Sequence, residues 1–248
     1  MASRNHISRT FLPAAFVLLI AAVFGVAQQP DGGKQNVRPE ASTPASVSSS
    51  VEKPATDPSK FYYDFNQPEF YVHRIAIEHD ANGRGRVVFE RKREDAPVVE
   101  PLEISTTALA RINTLWQTLG YLSSGESYQS ERQFPHLGTS RLSVERNGVK
   151  RSTELNWTKH PDASALVNEY RRIGDQAMLV FDISVARESQ PLNGPKLMEE
   201  LETLLKRNGL SDPKQMLPVL KDITSDEHLP LIARNHAARL IKKIESRK

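Results

Sequence analysis

The chain has 248 residues, 38% hydrophobic and 25% charged, ordinary values for a soluble protein that holds one large domain or two small ones. Cysteine is absent, which excludes disulfides, thiolate metal sites, a cysteine nucleophile and a lipidated cysteine. Net charge is +3, and the first 27 residues hold Arg4 and Arg9 but no acid, so the remainder carries only +1; with no basic run interleaved with aromatics, nucleic acid is not an expected partner.

Residues 1–10 supply a basic segment, the following residues an apolar run, and Gly25-Val26-Ala27 a small-x-small site before Gln28. That is the pattern of a cleaved secretory signal over residues 1–27. The apolar run is also about the minimum length for a membrane span, so a retained signal anchor is the competing reading. It is the one membrane attachment the sequence offers, and the expected location is exported, periplasmic or secreted. Residues 28–60 are rich in Pro, Ser, Ala, Gly and Gln and hold no aromatic side chain, so they bury too little to offset their ordering entropy and read as a disordered linker.

An α+β domain is expected over 61–188. Its start is crowded with Phe61, Tyr62, Tyr63, Phe65, Phe70 and Tyr71, a density of rings that suggests packing across a sheet rather than a ligand cage. A first hairpin follows, around Asp80 to Gly83. A two-residue Asn82-Gly83 turn would set Ile75 against Glu90, whereas a three-residue loop, Ala81 to Gly83, opposes Ile77 with Val87 and Ile75 with Phe89. The alternation therefore predicts the longer loop, with Gly83 left-handed. Residues 93–105 form a charged, proline-bearing connection.

Ser105 then caps a helix with Leu109, Ile112, Leu115, Trp116 and Leu119 on one face, ended by Gly120. After a polar loop, 123–138, a second hairpin turns at Asn147-Gly148, a pair suited to the type I′ turn. The register opposes Arg146 with Val149, Val144 with Arg151, Leu142 with Thr153 and Ser140 with Leu155, and places Leu142, Val144, Leu155 and Trp157 inward. Pro161 opens a helix through Leu166, Tyr170, Ile173 and Ala177. Residues 177–187 also alternate like a strand, but without a turn signal one long helix, ended at Gln190-Pro191, is preferred.

The order ββαββα, an antiparallel sheet packed by helices, resembles the small emfourin-type inhibitors of metalloproteases. The resemblance covers about residues 70–175 and rests on hairpin, helix, the Gly120-Tyr121-Leu122 exit, loop, glycine-turned hairpin and closing helix. It implies a binding role and transfers no inhibitory residue.

Residues 189–248 read as a helical segment packed on that domain. Pro195 opens a helix ended by Gly209, Asp212-Pro213 opens a second with Pro218 near its first turn, and a third starts near Asp226-Glu227 and carries Leu231, Ile232, Ala237, Ala238, Leu240 and Ile244. From Asp212 to Ile244 the pattern is similar to one HEAT-type repeat, with Leu217-Pro218-Val219-Leu220 in its first helix and Arg234, Ala237, Ala238, Ile241 and Ile244 in its second. A lone repeat buries too little by itself, so it is expected to pack on the preceding helices or on a partner.

Chemistry, if present, is expected in the 123–138 loop, where Glu126 and His136 are the candidate acid and base of a hydrolase. Gly125-Glu126-Ser127-Tyr128-Gln129 lacks the second glycine of a nucleophile elbow and does not follow a strand. His73, His79, Glu78, Asp80, His228 and His236 reproduce no metal-ligand spacing, so no metal and no cofactor is expected. Asn156-Trp157-Thr158 matches a glycosylation acceptor but reads as structural. The leading expectation is a non-catalytic module for a protein partner, with Tyr128, Gln129, Arg132, His136 and Arg234 as contact candidates. A hydrolase and a purely structural envelope protein are the alternatives.

Overall fold

The computed structural model describes residues 58–247, all within one compact unit. The expected signal segment, 1–27, and nearly all of the expected linker lie outside the described residues. Among the described residues no helix is long and apolar enough to cross a membrane.

The fold is α+β, a six-stranded antiparallel sheet covered on one face by helices and followed by a helical segment. Two strands beyond the two expected hairpins widen the sheet. The first, β1 (Lys60–Asn66), begins at the last residue of the expected linker and pairs with both β2 (Val72–Asp80) and β5 (Thr139–Arg146). It joins one hairpin to the other. Phe61, Tyr63 and Phe65 point to the helices, and Tyr62 and Asp64 alternate to the open face. The second, β4 (Val98–Glu103), lies in the charged connection and pairs only with β3 (Arg84–Arg91), giving the order β4-β3-β2-β1-β5-β6. An edge strand tolerates Pro101 because one row of its backbone groups needs no ladder partner.

Both hairpin registers follow the sequence reading. Ile75 opposes Phe89 and Ile77 opposes Val87 across a loop whose Gly83 has φ +79°. The Asp80 carboxylate closes that loop by accepting from the backbone N–H groups of Asn82 and Arg84. Arg146 opposes Val149 between β5 and β6 (Val149–Leu155), and Asn147 and Gly148 both have positive φ, as a type I′ turn requires. Trp157 is a correction. The strand stops at Leu155, and Trp157 turns outward to stand 45% exposed against the Phe134 ring.

Helix α1 (Thr106–Thr118) has the Ser105 hydroxyl accepting from the Ala108 N–H and buries Ala108, Ile112 and Trp116 on the sheet. Helix α2 (Pro161–Ser189) is a single element of 29 residues, so residues 177–187 are helix. Its first half packs Leu166, Val167, Tyr170 and Ile173 into the sheet core. Its second half packs Leu179, Ile183 and Ala186 into a separate core with α3 (Gly194–Lys206), α4 (Leu217–Ser225) and α5 (Leu231–Glu245). The two cores therefore meet along α2. Helix α5 begins after Pro230 rather than near Asp226, which accepts from Arg187 of α2 instead. It buries Ala233, Ala237, Leu240 and Ile244 and leaves Leu231 and Ile232 outside.

One buried hydrogen-bonded chain locks the sheet to both covering helices. The Trp116 N–H donates to the Tyr170 hydroxyl at 3.0 Å, and that hydroxyl lies 2.8 Å from His79 Nε2. His79 Nδ1 lies 2.7 Å from the Asp80 carbonyl and must donate there, so the ring is the neutral Nδ1–H tautomer and Tyr170 donates to Nε2. Every polar atom in the chain has a partner, which is what burial at 1% exposure demands of His79.

Gly85 marks where β2 and β3 come closest, since a Cβ there would sit 1.8 Å from the Glu78 carbonyl oxygen. That atom is backbone and cannot swing aside. Gly85→Ala is expected to lower stability by about 1–3 kcal/mol, the usual cost of overpacking, in urea unfolding. A midpoint equal to wild type would show that the strands part without cost.

Candidate functional site

The 123–138 loop is held shut rather than open. Gln129 Oε1 accepts from the Asn156 N–H at 2.8 Å and its Nε2 donates to the Ser130 carbonyl at 2.8 Å. Ser130 bonds the exit of β6 through the Trp157 carbonyl and the Lys159 N–H, and Gln67 donates to the Pro135 carbonyl. Tyr128 is 5% exposed, its ring edge-on to His160 and its hydroxyl near the Leu119 carbonyl, so it anchors the loop from inside. Gln129 is likewise spent on backbone groups, in the loop and at Asn156.

Glu126 and His136 are both exposed. Among the described residues no hydrogen bond or ion pair joins them; the His136 ring instead meets Phe134 edge-on at 6.0 Å. Arg132 is exposed and lies over the Phe134 ring at 4.9 Å. Arg234 is half-buried on α5. The histidines are dispersed: His73 pairs with Glu90, His79 is buried, His228 precedes α5 beside Asp226, and His236 meets Glu202. Among the described residues no three His, Cys, Asp or Glu side chains are grouped to hold a metal ion.

The structure gathers functional groups elsewhere, in a wide groove of about 920 Å³ between α1, α2 and the turn after α3. Ala110, Thr114 and Leu115 of α1 and Ala165 and Asn168 of α2 supply its uncharged lining. Arg111, Arg171, Arg172 and Arg207 line it together with Glu169 and Asp175. Sequence reading missed this site because its members come from three separated segments, each of which reads as an ordinary solvated helix face.

Glu169 organises the groove. It is 1% exposed, yet its carboxylate accepts from Arg111 Nη2 at 2.7 Å, from the Ser211 hydroxyl at 2.7 Å and from Arg172. Arg111 Nη2 also donates to the Ser211 carbonyl at 2.7 Å, tying α1 and α2 to the segment before α4. Burial alone would push the Glu169 carboxyl up; the hydrogen bonds from Arg111 and Ser211 and the charges of Arg111 and Arg172 outweigh it and hold the group below the usual carboxylate value. Asp175 behaves oppositely. Burial pushes its carboxyl up against the opposing charges of Arg207, 3.7 Å away, and Arg171, with Glu200 adding to the rise.

Two turns beyond Glu169, the same seam continues without charge. Gln176 accepts from the Asp212 N–H at 3.0 Å and donates to Gln215, which donates to the Glu103 carbonyl of β4 at 3.0 Å. These bonds fix the helical segment against the sheet, and so fix Arg207 relative to α2.

Two buried groups contribute to the response to acid. Burial lowers the His79 imidazole, outweighing the hydrogen bond and charge at Asp80, so its contribution is complete above the ordinary value of 6.5 and is lost as pH falls from there toward the folded value. Glu169 contributes fully above 4.5, and that part is lost as pH falls through its lower folded value. Urea midpoints measured from pH 8 to 3 are expected to fall in two stages. His79→Gln should flatten the upper stage and Glu169→Gln the lower; an upper stage left intact in His79→Gln would refute the assignment to the buried imidazole.

No protein-family model matches the chain, and no curated protein matches it.

Proposed function

We propose that the chain is an exported, non-catalytic module that binds another protein in the cell envelope, and that the α1/α2 groove is its binding surface. The observation that carries this reading is the groove itself, which is broad and shallow and lined by four guanidinium groups, two of them, Arg111 and Arg172, held in place by the buried carboxylate of Glu169. Arginine is favoured at protein interfaces because its planar fork forms paired hydrogen bonds and sheds water readily. The hydrophobic N-terminal segment supports export, and the HEAT-like pattern over 212–244 supports a scaffold for a partner.

Site-directed photo-crosslinking in the native host tests this. A photoreactive residue in place of Thr114, on the groove floor, is expected to give one dominant protein adduct, and one in place of Ser152, exposed on β6, to give none. The double variant Glu126→Ala/His136→Ala should keep the Thr114 adduct at the wild-type level. Absence of any adduct at Thr114, or its loss in the double variant, would defeat the assignment of binding to this groove.

A further inference from the structure

The partner's chemistry can be read from which arginines in the groove are already occupied. Arg111 and Arg172 are committed to Glu169, but not completely. Arg111 uses Nε and Nη2, and Arg172 keeps a buried Nε without a hydrogen-bond partner. Arg171 is exposed, lies over the Phe65 ring at 5.3 Å, and among the described residues has no carboxylate within ion-pair distance. Arg207 is 63% exposed and meets Asp175 only loosely, at 3.7 Å. Four guanidinium groups thus face two carboxylates, and one of those two, Glu169, is sealed beneath the floor. The lining carries an excess positive charge, concentrated on the two arginines that flank Asp175.

We propose that the segment seated in this groove is a short acidic stretch of the partner protein, with carboxylates engaging Arg171 and Arg207 while its backbone lies over Ala110, Thr114 and Ala165. This inference rests on the groove being the binding surface. The α2 lining from Ala165 to Asp175 spans about 15 Å at 1.5 Å per residue, the length of about five residues of extended chain or about ten of helix. A carboxylate accepts two parallel N–H bonds from one guanidinium, and the fork is kept in register when a neighbour fixes the arginine. Glu169 does this for Arg111 and Arg172, and the Phe65 face supports Arg171. Asp175 supplies the competitor. An incoming carboxylate takes over a loose contact to Arg207, so little is given up when the segment docks.

The same features disfavour a nucleic-acid strand. Strand-binding grooves pair a cationic track with rings on which bases stack, and the lining of this groove holds no aromatic side chain. The chain as a whole carries a net charge of only +3.

The test is fluorescence anisotropy on the purified full chain. The probes are a labelled peptide of about ten residues composed of Asp, Glu and Leu, the same peptide with Asn and Gln in place of its acids, and a single-stranded oligonucleotide of equal charge. The acidic peptide is expected to bind at least about tenfold more tightly than the neutral one and to weaken with added salt. Arg171→Glu/Arg207→Glu should lower its affinity by about tenfold or more with an unchanged melting temperature. These positions are chosen because, unlike Arg111 and Arg172, neither holds the buried carboxylate. Arg171→Lys/Arg207→Lys should retain part of the binding, since it keeps charge and loses the fork. Equal binding of the neutral peptide, no effect of charge reversal, no peptide binding, or tighter binding of the oligonucleotide would each overturn the proposal. A Thr114 adduct mapped to a neutral or basic segment of its partner would overturn it too, yet leave the binding surface standing. Acidic-peptide binding without any Thr114 adduct would do the reverse.

Discussion

The structure depends on one helix serving two hydrophobic cores. Helix α2 runs from the sheet, where Leu166, Tyr170 and Ile173 are buried, into the helical segment, where Leu179 and Ile183 are buried. A helix that changes partners midway must satisfy whatever polar groups fall at the change. Here they are Glu169 and Gln176, and each is answered from the far segment by Ser211 or Asp212. Removing a carboxylate from water costs several kcal/mol unless its lone pairs are filled, and the two arginines and one hydroxyl around Glu169 fill them. Such a pair adds little net stability but fixes one arrangement of α1, α2 and the segment before α4. That arrangement is what forms the groove.

Elements whose partners are close in sequence were legible. Asn147-Gly148 and the alternation around Ala81 to Gly83 each fix a register locally, and the structure has both registers. Strand β1 reads in the sequence only as a cluster of rings, because the turn that joins it to β2, closed by the Phe70 N–H on the Gln67 carbonyl, holds no glycine or Asn-Gly signal, and its other ladder, to β5, runs far along the chain. No local signal marks a strand whose pairing is non-local. Strand β4 was hidden by Pro101 and its acids, features that an edge position permits. Trp157 was placed inward by extending alternation past the residue where the ladder stops. The loop and the groove differ in the same way. The loop's polar content is continuous in sequence and draws attention, yet its side chains bond backbone groups of the loop and of the segment after β6. Glu169 looks like any exposed helical glutamate until Arg111 and Ser211 arrive from outside its helix.

The uncovered face of the sheet shows why the groove, rather than the larger polar surface, carries the electrostatic signal. On that face Arg74 lies between Asp64 and Glu90, Arg86 pairs with Glu78, and Arg141 with Glu154. Opposite charges sit on neighbouring strands, which stabilises the ladders and cancels the field a little way from the surface. The groove departs from that pattern. Its tight pairing ends at Glu169, and among the described residues the ion pairs of Arg171 and Arg207 reduce to the loose one between Arg207 and Asp175. Arg91 with Asp182 and Arg187 with Asp226 are guanidinium groups on framework elements that are answered within the chain. Two guanidinium groups beside an uncharged lining, with one loosely placed carboxylate between them, are the feature on which the proposed docking of an acidic segment rests.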